Sequence, residues 1–141
     1  MAEIMAINSL SGRNGFTMEI RIEKTKTPKA KPVDETKLGF GHIFTDHMFI
    51  MDYDEGKGWH DARIVPYGDI SLSPAAMVLH YGQEIFEGMK AYRTPDGNIQ
   101  FFRPEENFKR MNISAERLVI PQLNVNDCLQ ALHELVKIDA D

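Results

Sequence analysis

At Arg103-Pro104 the spacing of apolar side chains changes from the period of a strand to the period of a helix, which points to a fold whose last strand is followed by its amphipathic helices. Downstream, Phe108, Met111, Ala115 and Leu118 fall at i, i+3, i+7 and i+10. They form one apolar stripe on a helix that begins at Pro104 and stops before Pro121. A second helix is expected from Asn126 to Ile138, with Val125, Leu129, Leu132 and Val136 on one face and Asn124 or Asn126 as its cap.

Upstream, Gly39 to Arg103 has mostly β character. Phe44, His47 and Phe49-Ile50-Met51 suggest one strand, Asp54 to Gly58 a turn, and Ala62 to Tyr67 a second strand. Ser73 as cap and Pro74 as first helical residue predict a short helical turn through Ala75 to Tyr81, ending near Gly82. Met89–Arg93, the turn Thr94-Pro95-Asp96-Gly97-Asn98 and Ile99–Arg103 predict a β-hairpin. The expected architecture is α+β: a small antiparallel sheet with two amphipathic helices packed on it.

Residues 1–37 differ from the rest. Met18 to Glu23 alternates and reads as an edge strand; beyond it, lysines at 24, 26, 29 and 31 alternate with Thr25, Thr27, Pro28 and Pro32. That composition stays solvated, because proline removes backbone donors and the charges repel. Residues 1–37 are therefore expected to be an arm and linker, with 1–17 an upstream extension, and 38–141 a domain.

Composition excludes several classes. A chain of 141 residues can bury the core of one domain, since about 150 residues hide roughly 68–70% of their unfolded surface. The net charge of −5 argues against general nucleic-acid binding, which needs a basic footprint. No apolar run approaches a membrane span, and no secretory signal is visible. The single cysteine, Cys128, excludes an internal disulfide, reads as a core residue, and fits a reducing cytoplasm. Histidines at 42, 47, 60, 80 and 133 show no metal-ligand spacing, and no Gly-rich phosphate loop is present. Asp46-His47 reads as ordinary strand chemistry, its side chains on opposite faces.

The most specific stretch is Leu79-His80-Tyr81-Gly82-Gln83-Glu84-Ile85-Phe86-Glu87-Gly88-Met89-Lys90-Ala91-Tyr92, followed by Phe102-Arg103-Pro104-Glu105-Glu106-Asn107-Phe108-Lys109-Arg110-Met111. With Phe40-Gly41-His42, Thr45-Asp46-His47-Met48, Lys57-Gly58-Trp59, Ala62-Arg63-Ile64 and Leu72-Ser73-Pro74, it closely resembles the small N-terminal domain of the pyridoxal-phosphate branched-chain aminotransferases, over roughly Leu38 to the end. The resemblance implies fold type IV and transfer of the amino group of leucine, isoleucine or valine to 2-oxoglutarate. The implied reactants are an amino acid and a 2-oxo acid, and the implied enzyme is a cytoplasmic homodimer. In that family the Schiff-base lysine lies downstream in a larger domain. The chain stops at Asp141, so on this resemblance it is a partial enzyme with no catalytic residue of its own.

The resemblance assigns the cofactor phosphate to Arg110. A planar, permanently charged fork suits phosphate oxygens, although the position alone also fits a solvated arginine beside an apolar helix face. One charge-assisted hydrogen bond contributes roughly 1.5–3 kcal/mol, whereas micromolar binding needs about 8 kcal/mol, so this chain alone is expected to hold the cofactor poorly. Phe40, Tyr81 and Phe86 match positions that line the pocket for a branched aliphatic side chain; otherwise each is an ordinary core aromatic. Gly82 and Gly88 are turns, either beside a ligand or simply in the chain. Lys90 lies in the best motif but on a hairpin strand that points lysine to water, and it is rejected as the reactive amine. Two rivals share or replace this reading: another fold type IV enzyme, such as a D-amino-acid aminotransferase or aminodeoxychorismate lyase, and a non-catalytic binding or assembly module.

Overall fold

The computed structural model describes residues 4–6 and 17–140. In chain order the elements are β1 (Ile4–Ala6), β2 (Arg21–Ile22), a 3-10 turn (Glu35–Lys37), β3 (His47–Asp54), β4 (Gly58–Pro66), α1 (Met77–Tyr81), β5 (Ala91–Arg93), β6 (Ile99–Phe102), α2 (Pro104–Arg117) and α3 (Val125–Ile138). The α+β class is as expected, with the strands in two three-stranded sheets, β1-β6-β5 and β2-β4-β3. The chain divides into two compact units: Met1–Met18 with Ser71–His133, and Glu19–Ile70 with Glu134–Asp141. The expected upstream extension, 1–17, lies outside the described residues except at 4–6 and 17.

In the unit containing Glu19–Ile70, β3 and β4 form an antiparallel hairpin whose register shifts between Ile50 and Asp52. The connecting turn falls where Asp54 to Gly58 predicted it, and Gly56 and Gly58 take left-handed φ values of 83° and 79°, which glycine adopts without steric cost. β4 is central, and its Ile64 is fully buried. The edge strand expected over Met18–Glu23 is present only at Arg21–Ile22, and it pairs parallel to β4.

The Lys/Pro segment is exposed, as its composition implies, yet its backbone is anchored. The Lys29 N–H donates to Asp46 Oδ1 at 2.9 Å, and the Thr25 N–H donates to His47 Nε2 at 2.9 Å. A backbone N–H can only donate, so Nε2 accepts and the His47 ring proton sits on Nδ1, which faces Asp139 Oδ1 at 2.6 Å. Asp46 and His47 are both buried, each held by its own partners.

In the unit containing Ser71–His133, the predicted hairpin forms with shorter strands, Ala91–Arg93 against Ile99–Phe102. The Thr94 N–H donates to the Asn98 carbonyl at 2.8 Å across the turn. β1 adds to the free edge of β6. The helix expected to start at Ser73-Pro74 begins only at Met77, because Ala76 is extended at ψ 132° and helical backbone cannot run through it. Ser73 instead closes a turn, accepting the Ala76 N–H on its carbonyl at 2.9 Å. Gly82, at φ 59°, ends α1 as predicted.

α2 begins at Pro104 as the sequence implies, with Glu105 and Glu106 in its first turn and Arg117 in its last, all favourable to the helix dipole. Of the predicted stripe, Ala115 is buried, Phe108 and Met111 are half-buried, and Leu118 lies beyond the helix and is exposed. The helix closes with the Ile120 N–H on the Ala115 carbonyl and the Val119 N–H on the Glu116 carbonyl, the Schellman pattern, with Val119 in the left-handed position at φ 55°. α3 is capped by Asn124, whose Oδ1 accepts the N–H groups of Asn126 and Asp127 at 2.8 and 3.2 Å. Its buried residues are Cys128, Leu129, Ala131 and His133; of the expected stripe only Leu129 is among them, so the covered arc is wider than one apolar line.

Candidate functional site

The motif residues between α1 and β5 form an extended ribbon, residues 82–90, whose burial alternates. Gln83, Ile85, Glu87 and Met89 are half-buried, whereas Glu84, Phe86, Gly88 and Lys90 are exposed. Period-two alternation places these sets on opposite faces. The ribbon runs alongside α2 and antiparallel to it. At one end the Asn107 Nδ2 donates to the Gly88 carbonyl at 3.0 Å, and at the other the Gln83 Nε2 donates to the Leu118 carbonyl at 2.8 Å. The lengths agree: five extended residues and eleven helical ones each span about 17 Å.

At the Gly88 end the inward face carries Glu87. Its side chain is only 7% exposed, and its oxygens accept from four donors. These are the Gly88 N–H at 3.0 Å, the Asn107 Nδ2 at 3.1 Å, the Arg110 Nε at 2.8 Å, and the Arg110 Nη2. Hydrogen bonding, chiefly from the Arg110 guanidinium, holds the Glu87 carboxyl at a pKa of about 2, against the partial desolvation that opposes it. Glu87 in turn raises the pKa of Arg110. Both groups are ionised at neutral pH.

The pairing is side-on. Nε and one N–H of Nη2 engage Glu87, and among the described residues nothing else bonds the guanidinium. A guanidinium carries five N–H donors, so three remain, two of them on the edge formed by Nη1 and Nη2, one from each nitrogen. The Arg110 side chain is 66% exposed, and among the described residues no hydrogen bond occupies that edge.

The other residues read from the sequence are placed as follows. Tyr81 is the last residue of α1 and Phe86 is next to Glu87 on the ribbon; each is 79% exposed. Phe40 belongs to the unit containing Glu19–Ile70, where it is 87% exposed between two glycines of positive φ. The structure therefore joins Arg110 to the neighbour of Phe86, and each of the three aromatics is largely exposed within its own unit. They are not the ordinary core aromatics that position alone allowed. Lys90 is exposed just before β5.

Glu87 and Asn107 were not singled out by sequence reasoning, although both stand in the quoted motifs. Asn107 was accessible, because it precedes Arg110 by three residues on one helix face. Glu87 was not, because its contact crosses 23 residues of sequence. Among the described residues no three His, Cys, Asp or Glu side chains come together as a metal site, and no helix is long and apolar enough to cross a membrane.

No family model matches the chain. It is 54% identical over 122 residues to branched-chain-amino-acid aminotransferase 2 of Bacillus subtilis, covering 86% of this chain and 33% of that protein. Against a probable branched-chain-amino-acid aminotransferase of Staphylococcus aureus it is 52% identical over 126 residues, covering 89% and 35%. Against the branched-chain-amino-acid aminotransferase of Mycolicibacterium smegmatis it is 46% identical over 129 residues, again covering 89% and 35%. The resemblance read from the motifs is thus borne out, and it reaches further than expected: matches of 122–129 residues exceed the span from Leu38 to the end and take in part of residues 1–37, so over nearly nine-tenths of its length the chain is similar to branched-chain-amino-acid aminotransferases, and it spans about a third of the length of these relatives.

Proposed function

We propose that this chain is the small-domain portion of a branched-chain amino-acid aminotransferase, which moves an amino group from leucine, isoleucine or valine to 2-oxoglutarate. The observation that carries this is Arg110: inside the family-like motif its fork is clamped on one edge and open on the other, an arrangement suited to an anionic group. Pyridoxal phosphate fits that donor edge through its phosphate. When bound, it supplies the electron sink that amino transfer needs.

The residues of this chain bind and shield. Arg110 presents its outer N–H groups to phosphate oxygens while Glu87 stays ionised behind it. Phe40, Tyr81 and Phe86 are assigned to the apolar wall for a branched side chain. Their exposure of 79–87% leaves each of them free to meet a ligand. The same reading carries an amino acid and a 2-oxo acid as reactants, a homodimer, and a cytoplasmic setting that suits a chain with one buried thiol.

Arg110→Ala in a full-length enzyme bearing this segment tests the assignment. Retention of pyridoxal phosphate after desalting should fall roughly tenfold or more, with the ranking of leucine, isoleucine and valine unchanged. Unaltered retention would refute the phosphate role. The 141-residue chain itself, given cofactor, leucine and 2-oxoglutarate, should turn nothing over.

A further inference from the structure

We propose that Glu87 is a positioning residue, which holds Arg110 in the one orientation that presents its Nη1–Nη2 edge to a phosphate. The inference rests on the phosphate reading of Arg110 and adds a role that the reading itself does not supply. An exposed arginine on a helix is free to rotate, and fixing its long side chain costs up to about 30-fold in affinity for whatever it binds. Here that freedom is removed before any ligand arrives, by a bidentate contact to a carboxylate that is itself fixed.

The fixing is visible atom by atom. Glu87 lies on the inward face of the ribbon, its side chain 7% exposed. The Gly88 N–H and the Asn107 amide both bond its Oε1, and the same Asn107 amide bonds the Gly88 carbonyl. One asparagine therefore locks ribbon, carboxylate and helix together. Nε and one N–H of Nη2 are engaged side-on, which leaves the other Nη2 N–H and one Nη1 N–H as an end-on fork that can meet two phosphate oxygens at once.

Glu87 also places a negative charge behind the site, and charge alone would weaken an anion's binding. The two effects have opposite signs, so the experiment decides between them. Orientation prevails in this geometry because the carboxylate engages the neighbouring Nε–Nη2 edge and not the open one, and its charge is compensated directly by Arg110.

The test uses a full-length enzyme bearing this segment, with Glu87→Gln, Glu87→Asp, Arg110→Ala and the double variant Glu87→Gln/Arg110→Ala. Dissociation constants for pyridoxal phosphate and for pyridoxal, which lacks the phosphate, are measured by absorbance titration of the apoenzyme, with folding checked by circular dichroism. Glu87→Gln should weaken pyridoxal phosphate roughly tenfold, the scale on which partners that orient a ligating side chain act, and leave pyridoxal unchanged. Glu87→Asp should fall between, which keeps the test open if the glutamine variant folds poorly. On the Arg110→Ala background, Glu87→Gln should add nothing.

Tighter or unchanged binding of pyridoxal phosphate by Glu87→Gln would overturn the proposal, as would equal weakening of pyridoxal. If Arg110→Ala is silent, the phosphate reading itself fails. If Arg110→Ala weakens binding and Glu87→Gln does not, only the positioning role fails.

Discussion

Glutamine at position 87 mimics a permanently protonated glutamate, so the stability difference between the parent chain and Glu87→Gln isolates what ionisation of this carboxyl contributes. The group lies at about 2 in the folded chain against 4.5 unperturbed. A depressed folded pKa contributes stability that is complete above the unfolded value and is lost as pH falls through the folded one. The window is therefore pH 4.5 down to 2. In the absence of solvent screening the shift corresponds to about 3 kcal/mol. The guanidinium opposite is two-thirds exposed and screened by water, so the realised contribution is on the order of 1–2 kcal/mol. Urea unfolding followed by circular dichroism at pH 7 and pH 3 reads it. Glu87→Gln should be less stable by about 1–2 kcal/mol at pH 7, with most of that gap lost by pH 3. Other carboxyls with lowered pKa, such as Asp46 and Asp52, titrate in both proteins and cancel from the difference. A gap that stays constant with pH, or no gap at neutral pH, would refute the reasoning.

Two further outcomes are expected. Val119 occupies the left-handed position of the Schellman motif, where a β-branched residue costs about 1–2 kcal/mol, and its side chain is too exposed to contribute much packing. Val119→Gly should raise stability by about 0.5–1 kcal/mol in the same urea assay, after the loss to glycine's freedom in the unfolded chain; a destabilised variant would contradict this. Cys128 is buried, and desolvation first, with nearby Asp127 second, pushes its thiol up to about 11. The native chain should therefore react with an aromatic disulfide reagent at pH 8 far more slowly than the urea-unfolded chain, and comparable rates would show the thiol to be accessible.

What a sequence determines most directly is local. The change of period at Arg103-Pro104, the turn at Thr94–Asn98, Gly82 as a helix stop and Asn124 as a helix cap all lie within a few residues of their causes, and each appears where the pattern placed it. The start of α1 was missed because Ser-Pro also begins a turn, and the backbone at Ala76 made that choice. The stripe expected on α3 was incomplete because burial depends on what surrounds a helix, which its own periodicity does not encode. The identity of Arg110 as a candidate was likewise legible from its motif. Its orientation was not. That depends on a buried carboxylate 23 residues away, brought to the helix by a ribbon whose alternation turns Glu87 inward and Phe86 outward, and only the folded chain brings the two charges into contact.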